Sequence, residues 1–406
     1  MEQEPESKQK EVYVFLARCA EVLHFHGTPA HRLERVMVTI AASLGVEASF
    51  LYTPTSIFAS FGRIPNEEMH LLRANGGALN LGKLVEIDEL MESIQHRRIS
   101  VAEGLVQLEA IDASPLRWSA IWQALAFGLA SGGAARFFGG GVLEILLAFA
   151  LGPCLLILGR LLPKHQSENG LFEPIAAFFA AMTALLVARF AFAIDDRVVI
   201  LSSLIILMPG LTLTTAMTEL ATRHLVSGVA RLAGAAVVFL TMLLGVALAW
   251  RLGSGPVAAA DFLPEALPDW TLWIAVAVTP FAFAVILEAR GRELGIIYAA
   301  AIAGFAASYG TAETLGSDLS PFVGALVVGL IANIYARLAN RPALVPMTPG
   351  ILLLVPGSLG FRSLTSFLDR EALAGMEWAF QTGMVAVALV GGLLLAGLLI
   401  PPRRVL

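Results

Sequence analysis

Hydrophobic and polar residues divide this chain of 406 residues into two parts with different patterns. From Trp118 to Ile400, mostly apolar stretches follow one another, and about 20 such residues are enough to cross a bilayer core of about 30 Å as a helix. No stretch of this kind precedes Trp118. The pattern predicts a water-soluble domain over residues 1–117 and a membrane region after it. We expect ten helical spans, at residues 119–138, 142–161, 172–193, 198–217, 226–250, 271–288, 294–309, 321–338, 343–360 and 378–400.

The polar first part has shorter periodic patterns. Residues Val12 to Phe25 place apolar side chains at helical spacing, and Pro29 suits the first turn of the next helix because that position needs no amide hydrogen. Alternating residues predict a hairpin of strands at 48–52 and 56–61, with a third strand at 69–73. Helices resume after residue 82. We therefore expect an α+β fold for residues 1–117.

Composition supports a membrane protein. Hydrophobic residues make up 57% of the chain and charged residues 15%, which is far from the average of soluble proteins. With a net charge of -5 and no basic stripe, nothing indicates nucleic-acid binding. The two cysteines, Cys19 and Cys154, lie in different regions and predict neither a disulfide framework nor a metal site.

The distribution of basic residues predicts the orientation in the membrane. The acidic start of the chain lacks the pattern of a cleavable signal, so we expect a cytoplasmic amino terminus. With ten spans the carboxyl terminus is cytoplasmic too, and most basic loops, such as those with Arg160, Arg223 and Arg290, fall on that side. Arg136 and Arg362 are exceptions. We expect an integral protein of the plasma membrane.

Two stretches of the membrane region resemble each other at a spacing of 147 residues. Pro174 and Pro321 open similar apolar segments, and Leu207-Met208-Pro209-Gly210 matches Leu354-Val355-Pro356-Gly357. This indicates two units of five helices, at residues 118–260 and 261–406. Because five is odd, the second unit would lie inverted in the membrane, as in many secondary transporters.

Proline and glycine interrupt corresponding spans of both units. A single interruption is usually a packing kink, but paired interruptions favour broken helices that offer free backbone dipoles to a ligand. Threonines after the first interruption could bind substrate or bond back to their own helix. A polar asparagine in the eighth span could contact substrate or join two helices. The predicted substrate site comprises Pro209, Gly210, Thr212, Thr214, Thr215, Asn333, Pro349, Gly350, Pro356 and Gly357.

Charged residues within spans are costly and are therefore functional candidates. Glu144 could carry a proton or lie at the interface. Glu219 and Arg231 could form a gate or an ion pair at the membrane edge. No Walker motif is present, so we expect transport to be driven by a gradient, with a carboxylate such as Glu144 or Glu219 allowing proton coupling.

The densest polar motif of the soluble domain runs from His24 to Glu34. Its histidines do not have the spacing of a zincin, so we expect no metal and no other cofactor. Ser56 or Ser60 could serve a hydrolase, yet neither lies in a nucleophile elbow. We expect the motif to tie this domain to itself or to the membrane part. Its candidate residues are His26, Gly27, His31, Arg32 and Glu34.

The chain resembles the threonine/serine exporter family, including its fungal branch of pheromone-regulated membrane proteins. The similarity starts at His26–Glu34 and Phe50–Pro54 and continues through Phe138–Gly141, Pro209–Thr215 and Leu354–Ser358. It covers nearly the whole chain. Where the family often has Asn and Asp after the Pro-Gly segment, this chain has Thr215 and Glu219.

The resemblance implies a cytoplasmic amino-terminal domain, ten spans and proton-driven export of threonine and serine. A split-protein branch of the family implies dicarboxylate export as the alternative. A membrane-anchored hydrolase or a sensor that uses the soluble domain is a third hypothesis, although an anchor needs only one span. The expected partners are a small polar metabolite and the lipid bilayer, and a homo-oligomer is left open.

Overall fold

The computed structural model describes residues 3–63, 65, 67–74, 76–162, 170–253, 266–354, 357–368 and 371–402. The expected boundary near residue 260 and the site residue Pro356 lie outside this description.

The amino-terminal part contains four helices and a three-stranded sheet, and the predicted strands are confirmed. The sheet is antiparallel in the order β1-β2-β3, with Tyr52 opposite Ile57. At the hairpin turn, the amide of Ser56 donates to the Thr53 hydroxyl at 3.0 Å. The elements are α1 (Gln3–Phe25), α2 (Ala30–Ser43), β1 (Ala48–Thr53), β2 (Ser56–Phe61), β3 (Glu68–Arg73), α3 (Leu81–Gln95) and α4 (Val101–Ala113).

Eleven further helices follow within the described ranges, together with a short 3-10 turn at Gly291–Glu293. They are α5 (Ala120–Phe137), α6 (Val142–Leu161), α7 (Phe172–Phe190), α8 (Asp196–Ser203), α9 (Gly210–Ala221), α10 (Leu225–Leu252), α11 (Trp270–Ile286), α12 (Leu294–Ala339), α13 (Leu344–Leu352), α14 (Gly357–Leu368) and α15 (Ala372–Leu399).

Six helical stretches of the described chain are long and apolar enough to cross a membrane, and α11 is a shorter apolar helix. The number of ten spans therefore stays a prediction. Two of the expected spans are not continuous helices. The range 198–217 is divided into α8 and α9, and the range 343–360 into α13 and α14. The expected spans 294–309 and 321–338 are the two helical halves of α12, which meet at a non-helical Gly316 (φ 78°) and lie side by side, with the Ser308 hydroxyl 3.4 Å from that of Ser320.

Helix bounds repeat at the spacing of the sequence similarity. Helices α9 and α14 each have 12 residues and begin at Gly210 and Gly357, which are 147 positions apart. Helices α10 and α15 each have 28 residues and begin at Leu225 and Ala372, again 147 apart. The matched lengths support two equivalent units, and their inverted orientation stays a prediction.

The amino-terminal domain, α1 to α4 with the sheet, and the membrane helices share one hydrophobic core. Phe15, Leu33 and Phe61 of the domain belong to the same buried cluster as Leu287 and Ile297 of the helical region. The domain is therefore packed onto the membrane helices, and its residues can contribute to a site there.

Candidate functional site

The two Pro-Gly interruptions meet in space. Gly210 and Gly357 are both buried and are the first residues of α9 and α14. A Cβ atom added to Gly357 would lie 3.2 Å from the Cα atom of Gly210 and 3.4 Å from its nitrogen. The two backbones thus lie so close that an added methyl group would be tight. Two helix amino termini, which favour negative charge, therefore lie close together.

A cavity of about 80 Å³ lies between the amino-terminal domain and the membrane helices, and we call it the domain-side cavity. Its walls come from the α1–α2 turn and the start of α2, from Leu79, and from α9, α13 and α15. The lining residues are Gly27, Pro29, His31, Arg32, Leu79, Leu211, Thr214, Thr215, Thr218, Leu344, Met347, Thr348, Ile351 and Leu393. It combines hydroxyl groups, apolar side chains and one guanidinium.

The threonines of α9 face this cavity in a helical row. The hydroxyl of Thr214 donates to the Gly210 carbonyl at 3.2 Å, and that of Thr218 donates to the Thr214 carbonyl at 2.8 Å. Both therefore bond back to their own helix and keep oxygen lone pairs for a donor. Thr215 lines the cavity as well, whereas Thr212 is not among its lining residues.

His31 and Arg32 lie in the first turn of α2. Arg32 Nη2 donates to the Met347 sulfur at 3.1 Å, while Arg32 Nη1 and His31 Nδ1 are buried without a hydrogen-bond partner in the described chain. Burial lowers the pKa of Arg32 to about 10, so that it stays charged at neutral pH. Burial, and then the charge of Arg32, lower the pKa of His31 to about 3, so that this ring stays neutral.

Glu219 joins the membrane helices to the domain. Its carboxylate is fully buried (0% exposed) and accepts from Arg231 Nε at 3.0 Å, from the Ser227 hydroxyl at 2.8 Å and from the amide of Ala30 at 3.0 Å. Ala30 opens α2, so Glu219 satisfies a free amide at the positive end of that helix. The Glu219–Arg231 pair thereby positions the turn that carries Arg32.

Other residues of the same motif hold the domain in place. Glu34 Oε2 lies 3.1 Å from His224 Nε2, and Glu34 Oε1 accepts from the Tyr52 amide at 3.3 Å. His26 Nε2 lies 3.0 Å from Asp112 within the domain. Gly27 has φ 87° and lines the domain-side cavity.

A second cavity, of about 390 Å³, is called the far cavity. It reaches Trp250, 19 residues beyond Arg231 along α10, which corresponds to about 28 Å of helix. It therefore lies at the end of the helices that points away from the domain. Its lining residues are Phe138, Asp195, Arg197, Val198, Ile200, Leu201, Val246, Trp250, Phe361, Arg362, Thr365, Ser366, Glu371 and Trp378.

The two cavities are lined by equivalent positions of the two units. Each lining pair is 147 residues apart, and the pairs are Thr214 and Phe361, Thr215 and Arg362, Thr218 and Thr365, Arg197 and Leu344, Ile200 and Met347, and Leu201 and Thr348. The interruptions were predicted from the sequence, but this pairing of cavity walls was not. The pairing could have been found by comparing residues 147 positions apart along whole helices, and not only at the Pro-Gly motif.

Several expected site residues lie elsewhere. Asn333 is buried in α12, and Pro349 and Gly350 are buried in α13, where a Cβ on Gly350 would lie 2.9 Å from Val328. None of the three lines either cavity. Their positions indicate helix packing.

Two carboxylates at the far ends of the helices differ in their partners. Glu144 is buried and accepts from the amides of Gly141 at 2.9 Å and Asp195 at 3.0 Å. Asp196, a residue to which sequence analysis gave no role, is fully buried, and neither of its carboxylate oxygens has a hydrogen-bond partner in the described structure. Across the described residues, no cluster of three His, Cys, Asp or Glu side chains is arranged to hold a metal ion.

Comparison with known proteins gives relatives along nearly the whole chain. A pheromone-regulated membrane protein 10 of Debaryomyces hansenii is 27% identical over 90% of this chain and 37% of its own length. Proteins of the same description from Eremothecium gossypii (26% identical, 86% of this chain, 48% of theirs) and Kluyveromyces lactis (24%, 90% and 39%) are similar too. The chain thus spans between about a third and a half of the length of these relatives. No solved structure matches.

Two family models, both described as threonine/serine exporter, match residues 14–253 and 272–399. The first alone covers more than half of the chain, and the second begins after the predicted unit boundary. This chain therefore belongs to the threonine/serine exporter family.

Proposed function

We propose that this protein is a secondary transporter that exports the small hydroxy amino acids threonine and serine and couples their export to protons. The observation that carries the proposal is the pair of equivalent cavities on the two sides of the Gly210–Gly357 contact. A channel would need one continuous path, whereas two cavities separated by a backbone contact suit alternating access.

Movement of one unit against the other would open and close this contact. Two related units exchange their conformations when the protein turns from one side to the other, so the cavity on each side is built from the same positions. In this scheme the larger far cavity is the open side and the domain-side cavity is the constricted one. We place the domain in the cytoplasm and the far cavity outside, as the basic residues predict.

The size and lining of the domain-side cavity suit a small zwitterion with a short side chain. Its volume of about 80 Å³ is well below the roughly 300–1,000 Å³ of sites for drug-sized ligands. Threonine hydroxyls of α9 can hydrogen-bond an ammonium or a hydroxyl group, and Leu211, Ile351 and Leu393 offer contacts to a methyl group. A small amino acid therefore matches both the volume and the lining of this cavity.

For proton coupling we propose Glu219 or Glu144, as the sequence predicts, and we add Asp196. A proton on Glu219 would weaken its bonds to Arg231 and to the Ala30 amide, which would link protonation to the docking of α2. A proton on Asp196 would remove a charge from a buried site that has no donor in the described structure.

Export of a dicarboxylate is the second candidate, favoured by one observation. Arg32 and Arg362 each line a cavity and neither has a carboxylate ion pair within the described residues. The two carboxylates of such a substrate call for two cationic groups: Arg197 lines the far cavity with Arg362, whereas Arg32 is the one guanidinium among the described lining residues of the domain-side cavity.

Efflux from proteoliposomes tests these proposals. Purified protein is reconstituted with labelled threonine, serine or succinate inside, and efflux is followed with and without an inward proton gradient. We expect saturable efflux of threonine and serine that the gradient accelerates, with little efflux of succinate. Efflux equal to that of protein-free liposomes for both amino acids would refute the proposed function.

A further inference from the structure

We propose that Arg32 and Arg362 are the two carboxylate anchors of the transport path, Arg32 in the domain-side cavity and Arg362 in the far cavity. The proposal rests on the proposed function and deepens it, because it assigns the group that recognises the substrate's carboxylate. It also assigns the soluble domain a part in the binding site.

The guanidinium of Arg32 has unsatisfied hydrogen-bond donors in the described structure. The Arg32 side chain is partly buried, its Nη1 is buried without a hydrogen-bond partner, and the one hydrogen bond of its Nη2 to the described residues goes to the weakly accepting sulfur of Met347. A buried cation without a partner is costly unless an anion or several acceptors meet it. A ligand carboxylate in the adjoining cavity would accept the two parallel hydrogen bonds that a guanidinium offers.

The carboxylates near Arg32 already have other hydrogen-bond partners. Glu219 is bonded to Arg231, Ser227 and the amide of Ala30, and Glu34 is bonded to His224 and the Tyr52 amide. No carboxylate of the described chain is among the residues that line the domain-side cavity.

The location of Arg32 on its helix also favours the binding of an anion. It lies in the first turn of α2, where the helix dipole disfavours a positive charge and favours a negative one. Glu219 meets the first amide of that turn and so holds the turn against the membrane helices. The position of Arg32 is therefore fixed from the membrane side, as a binding residue requires.

Arg362 of the second unit has an independent arrangement of the same kind in the far cavity. Arg362 occupies the position equivalent to Thr215, and its guanidinium carbon lies 5.3 Å from the ring centre of Phe138 and 5.6 Å from that of Trp378. No carboxylate ion pair of Arg362 is present among the described side chains. Aromatic faces stabilise a guanidinium while leaving its N–H edge free for an anion. Asp195 and Glu371 line the same cavity, but neither forms an ion pair with Arg362 in the described structure, and Asp195 Oδ1 accepts from the amides of Arg197 and Val198.

Each cavity thus contains an arginine that could bind a carboxylate, and the two arginines come from different parts of the chain. In the far cavity the arginine belongs to α14, and in the domain-side cavity, where α9 has Thr215 at the equivalent place, the domain supplies it. A carboxylate released from one arginine would meet the other after crossing the Gly210–Gly357 contact. The sequence alone gives no sign of this, because Arg32 is 183 residues from Thr215.

The test compares threonine with threoninamide, in which a neutral amide replaces the carboxylate, for binding to the purified full chain. We expect the wild type to bind threonine at least about tenfold more tightly, in line with a charged hydrogen-bonded pair. Arg32→Gln and Arg362→Gln should each reduce this preference severalfold, since each removes one anchor, and the double variant should abolish it. Arg32→Lys should keep part of it. Arg35→Gln is the matched control, because Arg35 is exposed on the same helix.

The outcomes separate the two proposals. Equal binding of threonine and threoninamide by the wild type overturns the anchors without using any variant. Full preference in the folded double variant, judged by an unchanged melting temperature, also overturns them while leaving the exporter proposal intact. Failure of the wild type to bind threonine, serine or succinate overturns the proposed function itself.

Discussion

Glu219 connects three partners through one buried side chain, so its charge should control stability. Glu219→Gln keeps the size of the side chain but leaves Arg231 without its counter-ion in a largely buried place. We expect a loss of about 3 kcal/mol of unfolding free energy, which is typical when one partner of a buried pair is removed. Unfolding of the detergent-solubilised chain in denaturant measures it.

The double variant Glu219→Gln with Arg231→Met is the control for this pair. It removes both charges and should recover much of the loss. An unchanged single variant would show that the pair contributes nothing to the docking of α2.

His31 predicts a pH dependence of stability. Its pKa is lowered by burial to about 3 in the folded protein, whereas an unfolded histidine titrates near about 6.5. Between these values the unfolded chain binds more protons, so stability falls as the pH falls below about 6.5. At pH 5.5 the contribution of His31 amounts to about 1.4 kcal/mol.

Melting temperatures of the full chain at pH 7.5 and 5.5 measure this effect. His31→Gln should reduce the loss on acidification, while substitution of the exposed His96 should not. Burial also lowers the pKa of His24 and His26, so part of the loss remains. An equal loss in wild type and His31→Gln would contradict the neutral, buried state of this ring.

Single residues differed in how well sequence could predict them. The proline and glycine of the first interruption stand out in an apolar span, and the expected threonines Thr214 and Thr215 do line a cavity. The environment of Arg32 could not be predicted, because Met347 and Thr215 are distant in the chain. Glu144 and Asp196 look alike in sequence, and only packing gives donors to one of them.

Among the helices, the contact between α9 and α14 should be the most sensitive to added volume. Gly357→Ala places a methyl group 3.2 Å from the Cα atom of Gly210, which is tighter than an ordinary contact. We expect about 1–3 kcal/mol of destabilisation and slower transport, because the backbones must separate. Gly383→Ala in α15 is the control, since nothing lies within 4 Å of its added methyl group.

Threonine efflux and thermal unfolding of both variants check this expectation. Equal efflux in Gly357→Ala and Gly383→Ala would contradict a close backbone contact on the transport path.

Helix and strand patterns were predictable where local chemistry is strong. The hairpin around Thr53-Pro54-Thr55 and the helix at 142–161 agree with the sequence pattern. The two halves of α12 also agree with two expected spans, because Gly316 allows a positive φ that reverses the chain between them without a loop. Hydropathy alone, however, does not separate α8 from α9 or α13 from α14.

For the whole molecule, the repeat links the fold to the function. An offset of 147 residues relates helix lengths, the two interruptions and the walls of both cavities. The offset is visible in the sequence but the docking of the domain is not, since Glu219, Glu34 and Arg32 form contacts over more than 180 positions. The amino-terminal domain is therefore joined to the membrane helices by side chains that lie far apart in the chain.

Thr218 and Thr365 are equivalent residues in the two cavities, and their accessibility tests alternating access directly. Each is replaced by cysteine in a Cys154→Ser background, because Cys154 is exposed, whereas Cys19 is buried and its thiol pKa is raised to about 12. The rate of maleimide labelling is then measured with and without threonine. We predict opposite changes at the two positions, one labelled faster and the other more slowly when threonine is present. Rates that change in the same direction, or not at all while threonine is bound, would contradict transport between two alternating cavities.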